Sequence, residues 1–173
     1  YILESQKTHP ANILAVTFTN KAAREMRERL AKLVGHNPDD RSFVPYMGTF
    51  HSICVRLLRI SGDYAGVPSN FVIFDQTDRL AAIKQICKQL HIDEKLYPPK
   101  QVAHLIGSAK NEMVTPDMYL AAANGPLQKT AAKIFPLYEK SLKDAGALDF
   151  DDLINKTVLT LKFAPVGKTS FNT

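Results

Sequence analysis

The 173-residue sequence predicts an α/β fold: a parallel sheet interrupted by an all-helical segment. Three observations predict it. The apolar run Ile13–Val16 is followed within four residues by a helical pattern. The same strand–turn–helix grammar repeats between Phe43 and Ile60. After Asp75 the texture changes, and from Gln76 to Gly146 only helical periodicity remains.

Ile13-Leu14-Ala15-Val16 is continuously apolar, as suits a strand covered on both faces. Asn20 is the expected cap of a helix from Lys21 to Val34, with Gly35 as its left-handed stop. Ala23, Met26, Leu30 and Leu33 recur there at helical spacing, with Glu25–Arg29 and Glu28–Lys32 as pairs on the wet face. Phe43–Met47 reads as the second strand. The helix after it, Phe50 to Ile60, turns Phe50, Ile53, Cys54, Leu57 and Leu58 inward. Two such units joined by a crossover imply a right-handed parallel arrangement, and Phe71–Phe74 offers a third strand.

Within the helical stretch, Leu80, Ile83, Cys87 and Leu90 share one face of the first helix. The second follows Pro98-Pro99 and carries Val102, Leu105, Ile106 and Ala109. Thr115-Pro116, a cap followed by proline at the first helical position, starts a short third helix that Gly125-Pro126 ends. A last helix runs to about Ala145 with Pro136 inside it, so a kink or a fresh start is expected. Asp149 then caps a final helix whose buried side is Phe150, Leu153, Ile154, Val158 and Leu161. No internal repeat or low-complexity stretch occurs.

Composition excludes two classes. With 45% hydrophobic and 23% charged residues the chain is too apolar for a disordered tail. Its longest apolar run, Met118–Ala123, is far short of the roughly 20 residues of a membrane helix, so no membrane partner is expected. The net charge of +5 suits an anionic partner only weakly, since it is spread along the chain and not gathered into a basic tail. Cys54 and Cys87 fall on apolar sides of helical patterns and read as buried free thiols in a reducing compartment. The five histidines show no metal-ligand spacing, and no zinc site is expected. The chain opens at Tyr1 without Met and without a signal-peptide pattern, and reads as though it starts inside a longer protein.

Two segments combine the residue types of a nucleic-acid track: Thr17-Phe18-Thr19-Asn20-Lys21 and Gly48-Thr49-Phe50-His51-Ser52. Each sits where a strand's C-terminal end meets a helix N-terminus, the edge at which free N–H groups and the helix dipole favour an anion. The Thr19 and Thr49 hydroxyls add donors for phosphate, and Phe18 with Phe50 or His51 adds stacking surfaces for bases. The plain alternative is that the threonines and Asn20 are helix caps and the phenylalanines are core. Gly167-Lys168-Thr169 resembles the end of a phosphate loop, but position 162 is Lys where the pattern needs Gly, so no nucleotide site is assigned. Asp149-Phe150-Asp151-Asp152 has the look of a carboxylate cluster for a divalent metal or acid–base work. The reading preferred for it is a helix cap and first turn.

Taken together these segments resemble a known family. Ile13-Leu14-Ala15-Val16-Thr17-Phe18-Thr19-Asn20-Lys21-Ala22-Ala23-Arg24-Glu25-Met26 resembles motif Ia of the UvrD/PcrA/Rep helicases of superfamily 1, and Gly48-Thr49-Phe50-His51-Ser52 resembles their motif Ib. Leu148-Asp149-Phe150-Asp151-Asp152-Leu153-Ile154 resembles the segment returning from their inserted helical subdomain, and Phe71–Asp75 and Ser108–Glu112 fit the region between.

The resemblance implies a RecA-like parallel sheet with an inserted all-helical subdomain: 1–75 and 147–173 as part of the first motor domain, 76–146 as the insertion. It implies an ATP-dependent DNA helicase that moves on single-stranded DNA, 3′ to 5′, and unwinds duplex at a fork. Such a protein is cytoplasmic, uses ATP and Mg, and works among repair or replication proteins. Carried over, Phe18, Thr19, Asn20, Lys21, Thr49, Phe50 and His51 would line the DNA track. The insertion would lean on the duplex. The family's phosphate loop and Asp-Glu magnesium motif have no counterpart in these residues; after Leu161 the chain runs on to Phe163-Ala164-Pro165-Val166. The chain alone is therefore expected to bind neither ATP nor Mg, and to have no catalytic residue of its own. Two other classes compete with this reading: a non-catalytic single-stranded DNA-binding module, and an α/β scaffold whose turns are only caps.

Overall fold

The computed structural model describes residues 9–40 and 43–164. Tyr1 and the Gly167-Lys168-Thr169 segment lie outside the described residues. The fold is mixed α/β, in two compact units: Tyr1–Ser69 with Leu159–Thr173, and Asn70–Val158.

In the first unit a 3-10 turn, Pro10–Asn12, precedes strand β1 (Ala15–Thr17). The strand begins two residues later than the apolar run because the Ile13 N–H donates back to the Pro10 carbonyl, closing the turn. Helix α1 (Asn20–Val34) follows. Its cap is Thr19, not Asn20: Thr19 is extended and its Oγ1 accepts from the Ala22 N–H. Gly35, at φ 71°, is the left-handed stop. Leu33, expected inward, is 76% exposed, while Ala31 is buried. The two lie about 200° apart around the helix, so only one of them can face the core. On the wet face Arg24 pairs with Glu28.

Strand β2 (Met47–Thr49) starts four residues after the expected Phe43. Pro45 has no N–H for a ladder, so pairing begins beyond it. β1 and β2 run parallel, with Ala15, Val16 and Thr17 opposite Met47, Gly48 and Thr49. Helix α2 (Phe50–Ser61) buries Ile53, Cys54 and Leu58, but Phe50, expected inward, is 42% exposed.

In the second unit β3 (Val72–Phe74) pairs parallel with β4 (Ala147–Asp149), not with β1 or β2. Between them run α3 (Gln76–Gln89), α4 (Pro99–Asn111), α5 (Pro116–Ala122) and α6 (Pro126–Asp144). Asp75 and Asp78 form a reciprocal capping box for α3, and Thr115 caps α5. The core of α3, α4 and α6 includes Ile83, Cys87, Val102, Ile106, Phe135 and Tyr138, each at most 1% exposed. Burial of each Ile, Val or Phe side chain among them contributes about 1.5–3 kcal/mol. Helix α6 continues through Pro136, whose ring faces solvent. Cys54 and Cys87 are buried free thiols. Among the described residues no helix is long and apolar enough to cross a membrane.

Helix α7 (Phe150–Phe163) presents the largest correction. Of its expected buried side only Leu153 is buried; Phe150, Ile154, Val158 and Leu161 are 39–49% exposed. The buried face carries Asp152, Thr157 and Thr160 beside Leu153. Polar anchors set this rotation, because Asp152 and Asn155 both bind Lys110 of α4.

Candidate nucleic-acid interface

The first unit brings the two expected turns together. Thr17 and Thr49 are register partners, so α1 and α2 both begin at the same edge of the strand pair. Each helix is capped by a threonine whose hydroxyl oxygen accepts a backbone N–H, from Ala22 at 3.1 Å and from Ser52 at 3.3 Å. A hydroxyl that accepts in this way keeps its own proton to donate, so both caps can still serve a phosphate oxygen. The plain and functional readings of these threonines are therefore compatible.

Phe18 lies between β1 and α1 and is 88% exposed. Its ring centroid is 5.2 Å from that of Phe50, with planes tilted by 40°. This is an exposed aromatic pair at the head of two helices, the geometry on which a base can stack. Asn20, Lys21 and Thr49 line a groove with Arg24, Arg27 and Ser52, whereas Phe18, Thr19 and Phe50 are not among its lining residues. His51, in the first turn of α2, is half-buried and is not among the groove's lining residues. A Cβ at Gly48 would lie 2.6 Å from Ser52 Oγ, which itself donates to the Thr49 carbonyl, so a larger residue there would displace that hydroxyl.

Sequence reading missed Arg24 and Arg27. The signal was present, since positions four and seven after Asn20 fall on one face of a helix. Lys21, Arg24 and Arg27 give the groove three cations against Glu28 and Asp39.

The carboxylates of the second unit have a different role. Asp149 Oδ1 accepts from the Asp152 N–H at 2.9 Å, as a helix cap does. Lys110, only 4% exposed, places Nζ within 2.8 Å of Glu139, 3.0 Å of Asp149 and 2.8 Å of Asp152. Tyr138 donates to Asp149 at 2.9 Å, and Arg79 holds Asp151 at 2.9 Å. Burial works against the Lys110 charge, but Asp152, Asp149 and Glu139 outweigh it and raise its pKa to about 12. Burial also pushes the Asp152 carboxyl up to about 6, against the pull of Lys110. Asp149 is held below the usual range because Lys110 and the backbone hydrogen bond overcome its burial. With these oxygens committed to Lys110 and Arg79, the cluster is a buried charge network and does not fit a magnesium ion. Among the described residues no group of three or more His, Cys, Asp or Glu could hold a metal.

Comparison with known proteins gives one family and several close relatives. The family model described as UvrD/REP helicase N-terminal domain matches residues 1–171. A Staphylococcus aureus (strain Mu50) protein named ATP-dependent DNA helicase PcrA is 42% identical over 165 residues, which is 95% of this chain and 22% of that protein. A Bacillus subtilis (strain 168) protein of the same name is 41% identical over 158 residues, 91% of this chain and 21% of that one. The chain thus spans about a fifth of the length of these relatives.

Proposed function

Because the chain belongs to the UvrD/REP helicase N-terminal domain family, we propose that it supplies the single-stranded DNA track of an ATP-dependent DNA helicase that translocates 3′ to 5′ and unwinds duplex. The observation that carries this reading is Phe18: a large aromatic side chain, 88% exposed and in ring contact with Phe50, at the head of two capped helices. Phe50 covers only part of the Phe18 ring, and a base stacked on the remaining face would cover it.

In this reading Phe18 and Phe50 offer faces for bases, Thr19 and Thr49 donate to phosphate oxygens, and the first turns of α1 and α2 add dipoles of the right sign. Asn20, Lys21 and His51 complete the track, and the groove's cations supply long-range attraction to the backbone. The Thr17–Thr49 register holds the two turns side by side at one edge of the strand pair.

At the domain level, 1–75 with 147–173 is read as part of a RecA-like motor domain and 76–146 as its inserted helical subdomain, placed to meet duplex at the fork. For the whole protein the family implies ATP and Mg, a cytoplasmic setting, and repair or replication partners. Among the described residues the Asp149–Asp152 carboxylates bind Lys110 and Arg79 and do not fit Mg, and the sequence has no complete phosphate-loop pattern for ATP. Neither group is assigned to this chain, and hydrolysis belongs to other parts of the protein.

The test is a fluorescence titration of the 173-residue chain with a labelled oligo-dT strand at several salt concentrations. Phe18→Ala should lose the contribution of one base stack, about 1–3 kcal/mol, and affinity should fall steeply with salt. Equal binding by Phe18→Ala and Thr49→Ala, with no salt slope, would leave only the scaffold. A DNA-stimulated ATPase rate from the same chain would overturn the assignment of hydrolysis elsewhere.

A further inference from the structure

Three successive carbonyls just before the second turn each receive a donor from a different element. The Pro45 carbonyl accepts from Arg56 Nη1 of α2 at 2.9 Å. The Tyr46 carbonyl accepts from the Ala15 N–H of β1 at 3.0 Å. The Met47 carbonyl accepts from Arg27 Nη2 of α1. Arg56 also lies over the buried Tyr46 ring, 5.2 Å from its centroid.

Strand β2 is three residues long, and among the described residues β1 is its one sheet neighbour. A ladder so short leaves the strand's position weakly determined. The two arginines supply what the ladder lacks. Each reaches back from a helix whose N-terminus carries a track turn, and each grips backbone two to five residues ahead of Thr49 and Phe50. The planar guanidinium suits this better than an ammonium, since its donors sit in a fixed fork.

Resting on the track reading above, we infer that Arg27 and Arg56 are positioning residues of the DNA track: they set the Thr49–Phe50 turn against Phe18 and act on DNA through that turn. Arg27 also lines the groove, so a direct phosphate contact is the competing role. The two roles separate by experiment.

Arg27→Lys keeps the charge and loses the fork, and Arg56→Gln removes both the grip on Pro45 and the charge over Tyr46. Each variant is titrated with labelled oligo-dT across a salt series, beside the unaltered chain and Phe18→Ala, after circular dichroism confirms its helix content. Positioning predicts that both variants bind about tenfold more weakly, the loss of one base stack, with the salt slope unchanged. It also predicts that adding Phe50→Ala to Arg27→Lys costs less than the two separate losses combined, because both act through one turn. Retention of affinity by Arg27→Lys, or a slope lowered by about 0.7 in Arg56→Gln, the signature of one lost phosphate contact on single strands, overturns the inference. If Phe18→Ala binds as well as the unaltered chain, the track reading falls and this inference with it. If Phe18→Ala weakens binding while the arginine variants do not, the inference alone fails. Should either variant lack native helix content, the other carries the same test.

Discussion

Lys110→Met is the sharpest probe of how the second unit is held. The ammonium it removes is 4% exposed and sits within 3.0 Å of three carboxylates, two of them themselves buried. Asp149 would keep its hydrogen bond from Tyr138, and Asp152 its place in the helix cap, but neither would face a cation at Lys110's distance. Breaking a buried pair from one side costs about 3–5 kcal/mol, because the remaining charge is stranded. The pair with the more exposed Glu139 adds less than about 1 kcal/mol. The total is therefore about 3–5 kcal/mol at pH 8. At pH 5 it should be smaller, since the stranded carboxyls can then take up protons in the folded state. Urea unfolding followed by circular dichroism reads the effect directly. With a slope of about 1–3 kcal/mol per molar urea, the midpoint should fall by about 2 M at pH 8. A loss below about 1 kcal/mol, or one identical at pH 5 and pH 8, would refute the view that Lys110 neutralises this network.

Asp152→Asn tests the same cluster from the acid side. The folded pKa of about 6 lies above the ordinary value near 3.9, so the folded state binds the extra proton between about pH 4 and 6. The contribution of Asp152 to stability thus falls as pH rises through that window, by up to about 3 kcal/mol. The stability of Asp152→Asn relative to the unaltered chain should rise from pH 4 to pH 7, as urea midpoints would show. Gly35→Ala has open space for its methyl but must adopt φ 71°, so a loss of about 1–2 kcal/mol in thermal unfolding is expected from backbone strain alone. Phe18→Ala should leave the unfolding midpoint unchanged while weakening DNA binding, since the ring is almost wholly in solvent. On α7, Leu153→Ala should cost about 2–5 kcal/mol and Val158→Ser less than about 0.5, as calorimetry can compare; the periodic reading of that helix predicts similar losses for both.

Local chemistry was the most legible part of the sequence. Gly35, Thr115-Pro116 and the change of texture after Asp75 mark real helix boundaries, because caps and prolines act through neighbouring atoms; Gly125-Pro126, expected to end the third helix, instead starts α6, since α5 already stops at Ala122. The one misassigned cap, Asn20 for Thr19, is a displacement of a single residue between two good capping types. Strands were harder. Ala147-Leu148-Asp149 is too short to show a period, and its pairing with Val72–Phe74 depends on how the intervening helices fold. Helix α7 shows the deeper difficulty: periodicity finds an apolar stripe but cannot say whether anything covers it, and here distant Lys110 decides which side turns inward. The Phe18–Phe50 pair was foreseen as residues, whereas their ring contact and the added Arg24 and Arg27 needed the fold.

The pairing of β3 with β4 bears on the order in which this chain folds. The two strands meet across roughly 75 residues and share three register positions. Closing a loop of that length costs about 4 kcal/mol in chain entropy. Three residue pairs recover too little to nucleate such a contact. Local helices and their mutual packing must come first, drawing Phe74 and Ala147 together before any ladder can form. The strand pair is then a late seam that records the assembly of the helices, and its amide hydrogens should be the last in this unit to gain protection during refolding.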